Sequence, residues 1–230
     1  MVYLDHAATT PMRPEAIAAL TDALRLVGNP SSIHSAGQQA KRLLEESRER
    51  IAATLGADGI EVVFTGNGTE AVNLAIKGLW WSRQEVAGPG AGARPRILLP
   101  AGEHHATLDT VEWLVAHQGA VVEELPVDEV GRLRLDALED ALARDAASVA
   151  LVTMLWANNE VGTIQPVEAV ARLTARAGVP LHLDAIAAYG QLPIDVRALR
   201  RESDAPRGAG LVAVSVSAHK IGGASCRERV

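Results

Sequence analysis

The sequence predicts an α/β protein, with a mostly parallel sheet sandwiched as the middle of three α/β/α layers. Three observations predict it. Short apolar runs alternate with helix-period segments along most of the 230 residues. Several of those runs are continuously apolar, which is how strands covered on both faces read. Aromatic residues make up only 3% of the chain while Ala, Val, Leu and Gly are plentiful, so helices can pack closely onto a sheet.

Each element follows in order. Residues 2–13 read as an extended arm punctuated by Pro11 and Pro14. Pro14 suits the start of a helix to about Leu26, with Ile17, Leu20 and Leu24 at helical spacing. Gly28-Asn29-Pro30 breaks the chain, and Ser31, Ser32 or Ser35 can cap a long helix over 36–55. Its inward stripe is Ala40, Leu43, Leu44, Ser47 and Ile51, and Gly56 stops it. A short apolar strand is expected over 61–64, then the loop Thr65-Gly66-Asn67-Gly68-Thr69-Glu70 and a helix over 71–81. The stretch 87–94 reads as a flexible glycine-rich surface loop. Strands follow at 96–100, 121–127, 148–155, 181–184 and 211–215, with helices to about His117, over 135–143 and from Pro166 to about Ala177.

Composition excludes several functional classes. A net charge of −6 gives no electrostatic case for nucleic acid or an anionic membrane as partner. The single cysteine, Cys226, rules out an internal disulfide framework and a cysteine-based metal site. His104 and His105 are neighbours on a helix, so they do not converge on one metal ion, and no metal is expected. The chain shows neither a signal peptide nor an apolar run long enough to span a bilayer, which makes the cytoplasm the expected location.

Chemistry concentrates at the ends of strands. Lys220 follows the last strand in Ser217-Ala218-His219-Lys220-Ile221-Gly222-Gly223, and Asp184 ends another apolar strand. A strand-end lysine and a buried carboxylate are the two protein groups that pyridoxal 5′-phosphate (PLP) needs. The amine forms a Schiff base with the cofactor aldehyde, and the carboxylate keeps the pyridine nitrogen protonated. The Thr65–Glu70 loop offers a phosphate cradle, since N–H groups and the dipole at a helix N-terminus favour an anion. Alternatives stand beside these readings. Lys220 can be a solvated turn charge, Asp184 or Thr69 a helix cap, and Asn159 a residue that only holds its loop.

Together with Tyr3-Leu4-Asp5-His6-Ala7-Ala8-Thr9-Thr10-Pro11, Gly28-Asn29-Pro30-Ser31-Ser32-Ile33-His34 and Asn73-Leu74-Ala75-Ile76-Lys77-Gly78, these loops resemble the cysteine desulfurases. That family is a branch of the class V, fold-type I PLP-dependent enzymes, and the resemblance runs from residue 2 to about 223. It implies an N-terminal arm (1–13), a partial PLP-binding large domain (14–223) and a tail (224–230) unlike the family, with the small C-terminal domain missing. It implies a PLP-dependent transferase that converts L-cysteine to L-alanine and passes the sulfur on as a persulfide, feeding a sulfur acceptor or iron–sulfur scaffold protein. A homodimer is implied as well.

Residue by residue, Lys220 matches the Schiff-base lysine, with its charged form disfavoured in the cofactor pocket, and Asp184 matches the partner of the pyridinium nitrogen. His104 matches the histidine that stacks on the ring and moves protons. Gly68 and Thr69 match the phosphate turn, Ser217 and His219 further contacts near phosphate and lysine, and Asn159 the asparagine near the phenolic oxygen. Related readings are a selenocysteine lyase or another class V lyase or aminotransferase, and, from another class, a non-catalytic PLP-binding or dimerisation remnant.

Three departures qualify the resemblance. Ala187 stands where the family has a glutamine that contacts the phenolic oxygen, at a cost of about 0.5–1.5 kcal/mol for one hydrogen bond. The connection 200–210 is longer than usual. The C-terminal part with the sulfur-accepting cysteine and a carboxylate-binding arginine is absent, and Cys226 lies too close to Lys220 to replace that cysteine. No physiological desulfurase turnover is therefore expected of the chain as it stands.

Overall fold

The computed structural model describes residues 2–85 and 93–224. The expected loop at 87–94 therefore falls largely outside the described residues, and so do Cys226 and nearly all of the tail. The chain divides into two compact units. One holds Met1–Phe64, Leu192–Ala198 and Ala218–Val230, and the other holds Thr65–Gln191 and Leu199–Ser217.

The second unit carries the sheet. Its strands are β1 (Arg96–Pro100), β2 (Val121–Leu125), β3 (Val149–Leu155), β4 (Pro180–Asp184) and β5 (Gly210–Ser215), in the order β2-β1-β3-β4-β5. Every pairing among them is parallel. All residues of β3 and β4 are buried, while β2 at one edge is mostly exposed. This burial explains why the central strands read as unbroken apolar runs in the sequence.

Helices of this unit are α3 (Gly68–Glu85), α4 (His105–Gln118), α5 (Leu135–Asp145) and α6 (Val167–Arg176); α7 (Val196–Ser203) lies on the connection from β4 to β5. The crossover from β1 through α4 to β2 runs laterally opposite to those through α5 and α6. Right-handed crossovers then set α4 on one face and α5 and α6 on the other. In keeping with that, α3 packs on α4 and α5 packs on α6. Val72, Ile76 and Trp80, spaced one turn apart on α3, form a core with Ile97 and Leu99 of β1, Val111 and Leu114 of α4, and Leu151 of β3. At the amino end of β1, burial pushes the Glu123 carboxyl up. Hydrogen bonds and charge from Arg96 and Arg144 outweigh that and hold it below the usual carboxylate range.

The first unit contains α1 (Pro14–Leu24) and α2 (Ser35–Leu55). Three expectations fail here. His34, not a serine, caps α2, its Nδ1 accepting the Gly37 N–H at 3.3 Å. Leu43, expected on the inward stripe of α2, is exposed. Residues 61–64 form no strand. The chain makes a short turn of 3₁₀ helix at Gly59–Glu61 and then runs irregularly, with Val63 and Phe64 exposed. The guanidinium of Arg48 sits 5.0 Å from the Phe64 ring centre and hydrogen-bonds the Val62 carbonyl. Gly56 ends α2 as expected, in the left-handed conformation at φ 63°.

Among the described residues, no helix is long and apolar enough to cross a membrane, and no cluster of His, Cys, Asp or Glu could hold a metal ion.

Candidate active site

The second unit holds six of the eight residues singled out from sequence, and four of them, His104, Asn159, Asp184 and Ser217, sit at or just after the carboxyl ends of strands. Strand order reverses between β1 and β3, the switch point at which open α/β sheets place their ligand crevice. Two contacts tie the loops after these two strands across it. The Glu103 carboxylate accepts the Leu155 N–H at 2.8 Å, and the Asn158 amide donates to the Gly102 carbonyl at 3.2 Å. Asn158 also accepts from the N–H groups of Glu160 and Val161. The loop-holding role weighed for Asn159 thus belongs to its neighbour, and Asn159 is half-buried beside it.

Asp184 closes β4 and is 2% exposed. Its Oδ1 accepts the Ile186 N–H at 2.9 Å, which shapes the turn leaving the strand. This bond resembles a cap, and it engages one carboxylate oxygen. Ala187 is half-buried on the same turn. Beneath Asp184, on the same face of the strand, lies the fully buried His182. Its Nδ1 is 2.8 Å from the Thr153 hydroxyl on β3 and its Nε2 is 2.9 Å from the Ser215 hydroxyl on β5. One polar chain therefore stitches three strands together just below the strand ends. Burial drives the His182 pKa down to about 4, so the ring is neutral at ordinary pH.

The loop before α3 is built by its own side chains. Asn67 accepts the Glu70 N–H at 2.8 Å, and Glu70 reaches back to the Gly66 N–H at 2.6 Å. This reciprocal arrangement starts the helix at Gly68, earlier than the sequence pattern indicates. It leaves the N–H groups of Gly68 and Thr69 and the Thr69 hydroxyl without an acceptor among the described residues. Gly68 is buried, and a Cβ there would come within 2.6 Å of Ile186 Cδ1 and 3.4 Å of Ser217 Cβ. The first turn of α3, the turn after Asp184 and Ser217 after β5 thus meet closely, and a bare glycine permits that approach. These donors fit a phosphate, and a buried carboxylate at the neighbouring strand end fits a protonated ring nitrogen.

His104 caps α4, its Nδ1 accepting the Ala106 N–H at 3.1 Å, and its ring is exposed next to that of His105.

His219 and Lys220 belong to the first unit, where they meet the N-terminal arm. The Thr10 N–H donates to the His219 carbonyl at 2.9 Å and the Thr10 hydroxyl to the Lys220 carbonyl at 2.8 Å. The Arg13 N–H donates to the Gly222 carbonyl at 2.9 Å. The Lys220 ammonium donates to the Ala8 carbonyl at 2.9 Å and also to the Ala7 carbonyl. The backbone of the small, hydroxyl-rich opening of the chain therefore fixes the segment that carries the lysine.

Sequence reasoning passed over Glu103, His182 and the Asn67–Glu70 pair. A histidine inside an otherwise apolar strand was the available signal for His182. Glu103 gave none, since its burial depends on the path of the loop.

Comparison with known proteins bears on the family and the fold. The Aminotransferase class-V family matches residues 2–225. An IscS-like cysteine desulfurase of Mycobacterium tuberculosis is 49% identical over 97% of this chain and 53% of its own length. A cysteine desulfurase IscS of Methanosarcina thermophila is 35% identical over 99% of this chain and 57% of its own. Among solved structures, a NifS-like protein from Rickettsia africae superposes with a TM-score of 0.79 at 30% identity, covering 97% of this chain and 56% of that one. SspA, solved in complex with cysteine, gives 0.81 at 30% identity over 96% and 58%. The chain spans little more than half the length of these relatives. Both the match over nearly all of its residues and the shared fold show that the chain belongs to the aminotransferase class-V family.

Proposed function

We propose that this chain is the PLP-binding part of a cysteine desulfurase. The observation that carries the reading is the arrangement around Gly68. Acceptor-less N–H groups at the start of α3 lie against the turn that leaves the buried Asp184. PLP, when bound, supplies an aldehyde that captures amines and a ring that draws electrons from the α-carbon of an amino acid.

Each residue then has a role. Gly68, Thr69 and Ser217 hold the phosphate with two backbone N–H groups and two hydroxyls. Asp184 offers its carboxylate to the ring nitrogen and keeps a proton there. Lys220 is the amine that carries the cofactor, so its Nζ must leave the carbonyls of Ala7 and Ala8 and give up a proton. His104 presents an imidazole at the crevice that can stack and exchange protons, because its cap to Ala106 uses only Nδ1. Asn159 supplies a polar contact to the ring's oxygen, and His219 one near Lys220. The domain reading follows from the same roles, with an arm over 1–13 and a cofactor-binding domain over 14–223.

L-cysteine as substrate rests on the names of the relatives, and on the cysteine complex of a structural neighbour. Passage of sulfur to an acceptor or iron–sulfur scaffold protein, assembly as a homodimer and a place in the cytoplasm belong to the same proposal.

A spectrum tests it. The purified chain, incubated with PLP and desalted, should retain a visible absorption band that L-cysteine perturbs at lower concentration than L-serine. A band that responds equally to both amino acids would overturn the desulfurase reading, and no retained band would overturn the PLP reading.

A further inference from the structure

Glu103 is the buried acid that the proposed function leaves unused. It is 8% exposed, and one oxygen accepts the Leu155 N–H at 2.8 Å. The other oxygen, Oε2, is buried with no hydrogen-bond partner among the described residues. A carboxylate left like this is among the costliest arrangements a fold can hold, whereas a neutral carboxylic acid costs far less. Its position explains why the cost is tolerated. Leu155 is paired in register with Asp184, and the Trp156 N–H donates to the Asp184 carbonyl at 2.8 Å. Glu103 therefore grips β3 directly beside the residue assigned to the ring nitrogen, from the far side of the crevice.

We propose that Glu103 is a positioning residue for Asp184: a neutral carboxylic acid that fixes the end of β3 and leaves Asp184 as the one charged carboxylate at this edge. The inference rests on the PLP reading of Asp184. Both acids are buried, and the Asp184 charge adds to burial in disfavouring an ionised Glu103. Asp184 can spread its charge over the Ile186 N–H and a cationic ring; Glu103 has one N–H and an oxygen facing nothing. Burial first and the neighbouring Asp184 charge besides raise the Glu103 pKa to about 8, against the opposing Leu155 bond.

The other titratable groups do not change this assignment. On β4 they are His182 and Asp184, on the first turns of α4 they are His104, His105 and Asp109, and β3 has none. Arg96 on β1 is held at the opposite end of the strand by Glu123.

Carbon-13 NMR of the glutamate-labelled chain without PLP tests the proposal, with the Glu103 carboxyl assigned by its loss in Glu103→Gln. Its titration midpoint should lie near 8 and move to lower pH in Asp184→Asn. PLP affinity should fall about fivefold in Glu103→Ala, the size of one lost hydrogen bond, and recover in Glu103→Gln. A midpoint in the ordinary carboxylate range near 4.5, or one unmoved by Asp184→Asn, would overturn the proposal even if PLP binds. A chain that fails to retain PLP but shows the raised, Asp184-dependent midpoint would instead overturn the functional reading and leave the coupling of the two acids standing.

Discussion

Asp184→Asn should weaken PLP binding by about 10- to 150-fold, the range set by the ~1.5–3 kcal/mol of a hydrogen bond to a charged group. The substitution keeps the shape of the side chain, and its amide oxygen can still accept the Ile186 N–H, which measures 2.9 Å from Asp184. The turn after β4 should therefore survive, and far-ultraviolet circular dichroism should be unchanged. What disappears is the negative charge, and with it the reason for the ring nitrogen to stay protonated in a buried place. Fluorescence titration of PLP into the apo chain measures the effect. A loss smaller than about threefold would mean that Asp184 only shapes the turn, because a charge-assisted bond costs more than that to remove.

His182→Leu should have the largest effect on stability, about 2–4 kcal/mol, since it strands two buried hydroxyls that each cost ~1–3 kcal/mol when left without a partner. Thr153 and Ser215 are both buried, and each meets one nitrogen of the same ring. Urea denaturation of parent and variant measures the loss.

The pH dependence has a definite sign. Burial lowers the His182 pKa from 6.5 to about 4, so between those values the unfolded chain binds the proton that the folded one refuses. Stability then rises with pH across this window, and acid weakens the parent. The variant should lack that component. Glu103 acts in the opposite sense. Its pKa is raised from 4.5 to about 8, so its contribution is complete below 4.5 and is lost as pH rises through 8. The two windows overlap between 4.5 and 6.5, where the opposing slopes offset, so these buried groups give a plateau there, with stability falling below 4.5 and above 6.5. A parent and His182→Leu variant with parallel stability profiles from pH 4 to 7 would contradict the account of His182.

Much of this was legible in the sequence, for reasons that particular residues make plain. Strands buried on both faces must be apolar throughout, so Arg96–Pro100, Val149–Leu155 and Pro180–Asp184 stood out almost to the residue. Parallel order followed from the helices between them. Asp184 was visible because a polar residue at the end of such a strand lies at the ligand-binding edge, and the loop at Gly68 because glycines and a hydroxyl lead into a helix N-terminus.

Residues 61–64 misled because a run of Glu-Val-Val-Phe has strand propensity whether or not a neighbouring strand exists, and pairing is a property of the fold. Leu43 on α2 misled in the same way, since periodicity says which face is apolar and not what covers it. His34 capped where three serines competed, a choice that depends on the geometry of the loop. Glu103 and His182 stayed hidden for a further reason. Their significance lies in contacts to Leu155, Thr153 and Ser215, 52, 29 and 33 residues away in the chain, and no local pattern encodes those.

The central claim is that Lys220 is the attachment point of PLP. Borohydride reduction of the PLP-treated chain, followed by peptide mapping by mass spectrometry, tests it most directly. The account predicts one stoichiometric pyridoxyl group, on Lys220, and none on Lys41 or Lys77. Label spread over all three lysines, or the same total label in a Lys220→Ala chain, would contradict it.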